Sequence, residues 1–331
     1  MTGVQTCALP IYLNLIGVDI GGATTDVFSV FDGGFNRTVS ANLGMSYSIS
    51  NVLAEAGLAN IMRWVPFSID EQTLRNRIKN KMVRPTTIPQ TLDELQIEQA
   101  IAREALRLAL IHHKSLATGL KGVQQERTIS DAFEQQTSGK SLVDMLTLDL
   151  IVGSGGILSH APRRIQSMLM MVDAYEPLGF TMLSVDSIFM MPHLGVLSTI
   201  NENAATDVFV RDCMVYLGTC VAPIGRMKDG ERLADFDVTF ADGRAVKDQL
   251  KMGDVRLFPL GPNQKARLTM QPAKTVNLGQ GAGVPVSRDV QGGVVGLLLD
   301  GRGRPLQLPT DEAARVAALT KWFESVDLYP G

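Results

Sequence analysis

The chain has 331 residues, of which 45% are hydrophobic and 20% are charged, a balance typical of a folded globular protein. Its net charge of −3 gives no electrostatic signature of nucleic-acid binding, and no apolar stretch reaches the roughly 18 residues of a membrane-spanning helix. Three cysteines, Cys7, Cys213 and Cys220, are too few for a disulfide framework. We therefore expect a cytoplasmic protein that binds neither nucleic acid nor membrane.

The first eleven residues differ in character from the rest of the chain. They resemble a translated sequencing adaptor, and they lack the basic start and the cleavage site of a signal peptide. We expect residues 1–11 to be non-native and the native sequence to begin near Tyr12. Any sequence that preceded Tyr12 would then be missing.

Three strands and a helix are predicted next. An apolar, β-branched run over residues 13–20 indicates a buried strand that leads into a glycine turn. Alternation over residues 26–31 predicts the returning strand, and residues 36–43 can form a third one. Residues 45–57 have helical spacing and end on a glycine, which is typical of a helix stop.

The middle of the chain is rich in helix formers and in charge. Residues 58–146 contain no convincing strand pattern and include an amphipathic stretch at 92–120, so we predict a mostly helical inserted subdomain. A buried-strand pattern returns at residues 148–152. Helical patterns follow at residues 161–175 and 203–217.

The composition changes again from residue 225. Gly and Pro recur between short alternating runs, which predicts a β-rich C-terminal domain over residues 225–331 with a terminal helix at 311–326. Residues 300–304 are turn-rich and basic. A hairpin turn with solvated arginines explains them, and a partner contact is the alternative.

The four histidines do not form a metal-binding pattern with cysteines or carboxylates. His112 and His113 are adjacent, so we expect them on a solvated helix face. His160 follows a glycine-rich segment and could contact a ligand or serve in packing. His193 lies in a Met-Pro-His-Leu-Gly turn, where packing is the expected role.

Residues 19–26 carry the clearest chemical signal. The two glycines let the backbone approach an anion and direct N–H groups towards it. Asp19 and Asp26 would repel a bare phosphate, but they suit a hydrated Mg²⁺ that lies between them and the phosphate oxygens. The sequence thus predicts a Mg-phosphate cradle with Asp19 and Asp26 as metal-binding and catalytic carboxylates; a glycine-rich surface hairpin is the alternative. The candidate phosphate-binding residues are Gly21, Gly22, Ala23, Thr24 and Thr25.

These residues resemble the second phosphate motif of the actin, hsp70 and sugar-kinase ATPase superfamily. The predicted order of elements is also similar to the second lobe of that fold. The resemblance implies an α/β chain with an actin/hsp70-like (ribonuclease H-like) nucleotide-binding lobe over residues 12–57 and 147–224. Its cofactors would be ATP and Mg²⁺, with Asp19 and Asp26 holding the metal or its water.

A second glycine segment stands where that lobe would receive adenosine. Residues 152–158 follow the fourth predicted strand, and glycines there let the backbone lie flat against a base and ribose. A plain turn between strand and helix is the alternative. The candidate nucleotide-binding residues are Gly153, Ser154, Gly155 and Gly156.

Five segments together resemble the glutamate mutase accessory protein family MutL, which is distinct from the DNA-repair protein of that name. They are residues 19–27, 42–45, 152–162, 190–197 and 300–306. The resemblance implies an ATPase-type partner that assists or reactivates adenosylcobalamin-dependent glutamate mutase (methylaspartate mutase), with the mutase subunits as binding partners.

The superfamily's first phosphate motif has no counterpart in this sequence. We expect the first lobe to have been lost, and because a complete site needs both lobes, the chain as written should hydrolyse ATP slowly or not at all. Two other functions stay open. One is a small-molecule kinase of the same fold, and the other is a non-catalytic scaffold that recognises a protein through the C-terminal domain.

Overall fold

The computed structural model describes residues 13–118 and 141–329. The predicted non-native segment 1–11 and the end of the helix predicted at 92–120 lie outside these residues. The strands are β1 (Leu15–Ile20), β2 (Thr25–Phe31), β3 (Gly34–Ser40), β4 (Leu150–Ser154), β5 (Gly179–Asp186), β6 (Met214–Ala222), β7 (Arg232–Phe240), β8 (Ala245–Lys251), β9 (Val255–Phe258), β10 (Lys265–Pro272), β11 (Val286–Gln291) and β12 (Leu297–Asp300). The helices are α1 (Ile49–Ala56), α2 (Leu58–Met62), α3 (Glu71–Val83), α4 (Leu92–Leu116), α5 (Gly156–Ser159), α6 (Arg164–Tyr175), α7 (Met191–Ser198), α8 (Glu202–Val208) and α9 (Glu312–Ser325).

Two sheets form the framework, which confirms the predicted α/β class. The large sheet has the strand order β3-β2-β1-β4-β5-β6-β12-β9. Strands β1, β2 and β3 are antiparallel, whereas β4 runs parallel to β1 and β5 runs parallel to β4. The small sheet, β11-β10-β7-β8, is antiparallel throughout. No helix in residues 13–118 or 141–329 combines the length and the apolar composition that crossing a membrane requires.

The part of the chain after residue 225 contributes to both sheets. Strands β9 and β12 extend the large sheet, and α9 packs into the same hydrophobic core as β1. The small sheet lies against β6 and β12 through a second apolar cluster that includes Phe236, Leu268 and Leu297. The domain boundary predicted at residue 225 stays a prediction, but the core is continuous across it.

The segment 214–222 forms a strand, so the helix predicted over residues 203–217 is wrong in its second half. Helix α8 ends at Val208, and one π-helical turn, Phe209–Cys213, connects it to β6. Strand β6 pairs with β5 on one side and β12 on the other, and most of its residues are buried. A run buried on both faces lacks the alternation that marks a half-exposed strand, which is why periodicity alone favoured a helix.

Helix α4 lies across β2 and β3 and buries one of the two histidines predicted to be solvated. A capping box at Thr91 and Glu94 begins the helix. The side chain of His113 is fully buried, with ring nitrogens 2.7 Å from Ser29 Oγ and 2.9 Å from Thr38 Oγ1. Its neighbour His112 is exposed and lies 3.0 Å from Ser40 Oγ. The prediction is therefore wrong for His113, because two strand hydroxyls face α4 and satisfy the imidazole.

The arginines of residues 300–304 are buried, so the predicted turn with solvated arginines is wrong. Arg302 Nη1 lies 2.8 Å from Asp173 Oδ1 on α6, and its Nη2 lies 2.8 Å from Asp300 Oδ2. Arg304 Nη2 contacts the same Asp300 oxygen at 2.8 Å, and Arg103 on α4 donates to Asp173 Oδ2 at 2.7 Å. Burial alone would raise the pKa of Asp300, but Arg302 and Arg304 hold it far below the usual value. We call these five residues the buried ion network.

Burial of His113 predicts a specific pH dependence of stability. Burial lowers the pKa of His113 from 6.5 to about 4, so the unfolded chain binds a proton more readily than the folded chain. Stability should be intact above pH 6.5 and fall towards pH 4, with a loss of about 2 kcal/mol attributable to His113 between pH 8 and pH 5. Urea unfolding of His113→Gln at both pH values should show that this pH-dependent part of the unfolding free energy is missing. The exposed His193→Gln variant should keep it, and equal pH dependence in all three proteins would contradict the prediction.

Removal of one charge from the buried ion network should destabilise the fold strongly. Arg302→Met removes the arginine that pairs with both Asp173 and Asp300, and breaking a buried ion pair by removal of one partner typically costs about 3–5 kcal/mol. The exposed pair of Arg267 and Asp289 offers a matched control, since Arg267→Met removes an ion pair that water already screens. Urea unfolding of both variants at pH 7 measures the difference. Similar midpoints would mean that the network contributes no more than a surface pair.

Candidate functional site

The two predicted glycine segments meet at one edge of the large sheet. Strands β1 and β4 are adjacent and parallel, and Asp19 is opposite Ser154 in their register. Gly155, at φ +102°, packs on the end of β1 so closely that a β-carbon there would lie 2.1 Å from the Ile20 carbonyl oxygen. Ligands of open α/β sheets bind beyond the carboxyl ends of parallel strands, which is where both segments lie.

The β1–β2 turn is held by its carbonyl groups. Met45 N–H donates to Gly21 O at 2.9 Å, and Ser46 N–H donates to Gly22 O at 2.9 Å. Gly44 packs directly on this turn, since a β-carbon there would approach Ala23 to 2.5 Å. Within the described part of the chain, the N–H groups of Gly22 and Ala23 have no acceptor. Two N–H groups on a rigid turn can therefore bind an anion.

Two residues that were predicted to bind a ligand, Thr25 and Gly153, contact other parts of the protein in this structure. Thr25 is fully buried, and its hydroxyl donates to the Leu43 carbonyl, so it is not available to a phosphate. Gly153 leaves room for Met171, whose sulfur would lie 2.7 Å from an added β-carbon. By contrast, Ala23 is exposed and Thr24 is half-buried at the tip of the turn. Ser154 is fully buried, and its Oγ has no hydrogen-bond partner among the described residues.

Three carboxylates lie near one another at this edge. Asp19 and Asp26 are directly opposite in the β1–β2 pairing, which puts both on one face of the sheet with Ser154. Asp186, at the end of β5, is fully buried. Burial raises the pKa of Asp19, and the charges of Asp26 and Asp186 raise it further. A cation or a proton at this position would relieve the repulsion among the three groups.

Arg37 and Asp186 were missed in the sequence. Arg37 Nη2 on β3 lies 2.9 Å from Asp26 Oδ1 and offsets part of the negative charge. Asp186 accepts hydrogen bonds from the N–H groups of Ile188 and Met191, at 3.2 and 3.0 Å, where the chain enters α7. An aspartate that ends an apolar strand was the available signal for Asp186. No sequence signal was available for Arg37, because its contact with Asp26 depends on the pairing of β2 with β3.

The carboxylates do not form a direct metal site by themselves. Within residues 13–118 and 141–329, no three His, Cys, Asp or Glu side chains are placed to hold a metal ion together. Asp19 and Asp26 therefore suit a metal that keeps several waters, as Mg²⁺ commonly does, better than a fully protein-bound ion.

A cavity of about 630 Å³ opens beside both glycine segments. Gly21 and Gly22 line it from the β1–β2 turn, and Gly156 and His160 line it from the second segment. Residues 85–92, at the passage from α3 to α4, also line it. The volume is within the range of about 300–1,000 Å³ that small-molecule sites occupy.

His160 stands at the rim of this cavity. Its side chain is exposed, and its ring contacts Phe189 edge to face, with centroids 4.9 Å apart and planes at 75°. The aromatic contact restrains the ring, while the exposed edge can meet a ligand. Both roles left open for His160 are therefore compatible with its position.

Comparison with known proteins adds a family assignment to this geometry. A family model described as MutL protein matches residues 4–213, which is more than half of the chain and includes both glycine segments. A protein named Protein MutL from Clostridium tetanomorphum is 27% identical over 164 residues. That alignment covers 45% of this chain and 33% of the relative, so it spans about a third of the relative's length.

Gly155 and Gly156 differ sharply in the space that each position leaves for a β-carbon. Gly155→Ala should cost more than about 2 kcal/mol, because it combines a positive φ with a collision against Ile20. Gly156→Ala is the matched control, since no atom of the described residues lies within 4 Å of its added β-carbon, and it should change stability by less than about 0.5 kcal/mol. Thermal and urea unfolding of both variants test the close contact of the two segments. A Gly155→Ala protein as stable as Gly156→Ala would show that the segments are not in contact.

Proposed function

This chain belongs to the MutL protein family, and from that premise we propose that it is an ATP-binding accessory protein of adenosylcobalamin-dependent glutamate mutase. The observation that carries the proposal is the meeting of residues 19–26 and 153–156 beside a cavity large enough for a nucleotide. Neither segment alone is specific for ATP. Together they would provide N–H groups for an anion, carboxylates for a cation and a glycine-lined wall.

The strand order supports an actin/hsp70-like lobe. Three antiparallel strands are followed by two parallel strands in the order β3-β2-β1-β4-β5, and the helical segment 58–118 is inserted between β3 and β4. In such a lobe the phosphate motif joins β1 to β2, and the adenosine segment follows β4. Residues 19–26 and 153–156 have these positions.

The residues have distinct proposed roles in nucleotide binding. The free N–H groups of Gly22 and Ala23, with the Thr24 hydroxyl, would contact the phosphates. Gly156 and His160 would lie along the adenosine, while residues 85–92 would cover its other side. Thr25, Gly153 and Gly155 would act indirectly, because they hold the two segments in place.

Asp19 and Asp26 would hold a hydrated magnesium ion. Mg²⁺ bound there would screen the phosphate charge and orient a water molecule. The raised pKa of Asp19 fits this role, since a nearby cation would stabilise its ionised form. Asp186 would keep its contacts with Ile188 and Met191 and add negative charge behind the site.

The link to the mutase comes from the family. Nucleotide binding between residues 85–92 and the glycine segments would favour one arrangement of the helical segment over another, and a mutase subunit could sense that difference. Such a cycle of binding and release would be the means by which this chain assists or reactivates the mutase. ATP hydrolysis would drive the cycle in a protein that has a complete catalytic site.

Replacement of Asp19 should weaken Mg-ATP binding without loss of the fold. Asp19→Asn keeps the size of the side chain but removes the charge, and the affinity for Mg-ATP should fall about 10- to 100-fold. Asp32→Asn is the matched control, because Asp32 lies at the opposite end of the β1–β2 hairpin and is exposed. Calorimetric titration with and without Mg²⁺ measures both variants.

These titrations, together with assays of mutase binding and of phosphate transfer, have three outcomes that separate the possible functions. Saturable Mg-ATP binding that Asp19→Asn weakens, together with ATP-dependent binding to glutamate mutase subunits, supports the accessory role. Transfer of the γ-phosphate to a metabolite would identify a small-molecule kinase instead. No ATP binding, but tight association with the mutase, would replace the proposal by a nucleotide-independent scaffold.

A further inference from the structure

A second cavity, of about 610 Å³, lies near the carboxyl end of α4. Arg107, Leu110 and Lys114 line it from α4, Tyr175 lines it from the end of α6, and Arg304 closes it from the segment after β12. Gln99, which lines the candidate nucleotide cavity, is fifteen residues before Lys114, or about 22 Å along the helix. The second cavity is therefore separate from the first.

Two arginines are fixed at this cavity by one buried carboxylate. Glu104 is fully buried and accepts from Arg63 Nη2 at 2.7 Å and from Arg107 Nε at 2.8 Å. Both arginine side chains stay partly exposed, at 31% and 26%. Each guanidinium has five N–H donors, and Glu104 uses only some of them. The remaining donors are therefore available on a rigid, partly desolvated surface.

Lys114 adds a positive charge that has no direct partner among residues 13–118 and 141–329. It is half-buried, and no carboxylate among the described residues lies within 4.0 Å of its ammonium group. Burial lowers the pKa of Lys114, while the charges of Glu176 and Asp144 raise it. A half-buried cation without a direct counter-ion is unusual, because burial disfavours the charged form unless an anion compensates it.

The other polar groups of the cavity wall are already engaged or require an acceptor. Glu176 accepts from the Leu306 N–H at 2.7 Å, and Arg304 is held by Asp300 in the buried ion network. Tyr175 is 2% exposed, and its hydroxyl has no hydrogen-bond partner in the part of the chain that the structure describes. Such unsatisfied buried groups are rare in folded proteins.

We propose that this cavity binds an organic oxyanion, a phosphate or carboxylate compound, through Arg63, Arg107 and Lys114. Leu110, Ile111 and Leu178 would contact the apolar body of the ligand. Arginine binds planar or tetrahedral oxyanions with two parallel hydrogen bonds, and lysine adds a point charge. The volume admits a ligand of metabolite size. The site requires no nucleotide at the first cavity and does not depend on the proposed function.

Calorimetric titrations with pyrophosphate and with citrate test the proposal and distinguish the two kinds of oxyanion. They are done on the whole chain in buffer cleared of divalent cations by a chelating resin, because without a divalent cation the carboxylates near Asp19 repel bare phosphate. At least one probe should bind saturably, and Lys114→Gln should weaken that probe about tenfold through loss of one charge-assisted contact. Binding of pyrophosphate alone identifies a phosphate site, and binding of citrate alone identifies a carboxylate site.

Lys79→Gln is the matched control, since Lys79 is an exposed helical lysine that lines neither cavity. It should bind the probe as the unchanged protein does, and unfolding midpoints measured without anions should show all three proteins folded. No saturable binding of either probe to the unchanged protein would overturn the proposal. Equal affinities of Lys114→Gln and Lys79→Gln would overturn it too. Mg-ATP binding, measured separately, is unaffected by either result.

Discussion

The buried ion network constrains the rest of the structure. Five charged groups are buried together, and buried charges are tolerated only when they are paired with groups of opposite charge. Arg103 is on α4, Asp173 is on α6, and Asp300, Arg302 and Arg304 follow β12. The network can therefore form only when the helical segment, the core of the large sheet and the C-terminal part of the chain are all assembled.

Aromatic rings complete the surroundings of the network. Arg302 lies over Trp322 of α9 at 5.2 Å, and Arg103 lies near both Trp64 and Phe323. These contacts supply cation–π attraction where water is excluded. They also explain why α9, at the end of the chain, shares a core with the first strand.

Helix α4 connects the two cavities through this arrangement. Near its start, Gln99 lines the candidate nucleotide cavity, donates to Gln166 at 3.1 Å and accepts from Tyr329 at 2.7 Å. One turn later, Arg103 donates to the Gln99 carbonyl at 3.1 Å and enters the network. Farther on, Arg107 and Lys114 reach the second cavity. A helix held at this many points is a rigid wall for both cavities.

How much the sequence could predict differs between the backbone and the side chains. The short-range sequence pattern was sufficient to predict the first three strands, the glycine turns after β1 and β4, and α9. These elements depend on periodicity and on residues that permit tight turns. The glycine turns within residues 19–26 and 153–156 could be predicted for the same reason, and their role in ligand binding stays a prediction. That both turns lie at the same edge of the large sheet could be inferred from the expected order of strands.

Only the tertiary structure decided which polar side chains are buried and with what. His113 and the arginines after β12 look like surface residues in sequence, and each is buried because a complementary group from a distant part of the chain meets it. Thr25 likewise stands in the predicted phosphate motif but binds the Leu43 carbonyl. Local sequence therefore determined the turns and the family of this protein, whereas long-range pairing determined its charges, because the free energy of a buried polar group depends on partners that local sequence does not specify.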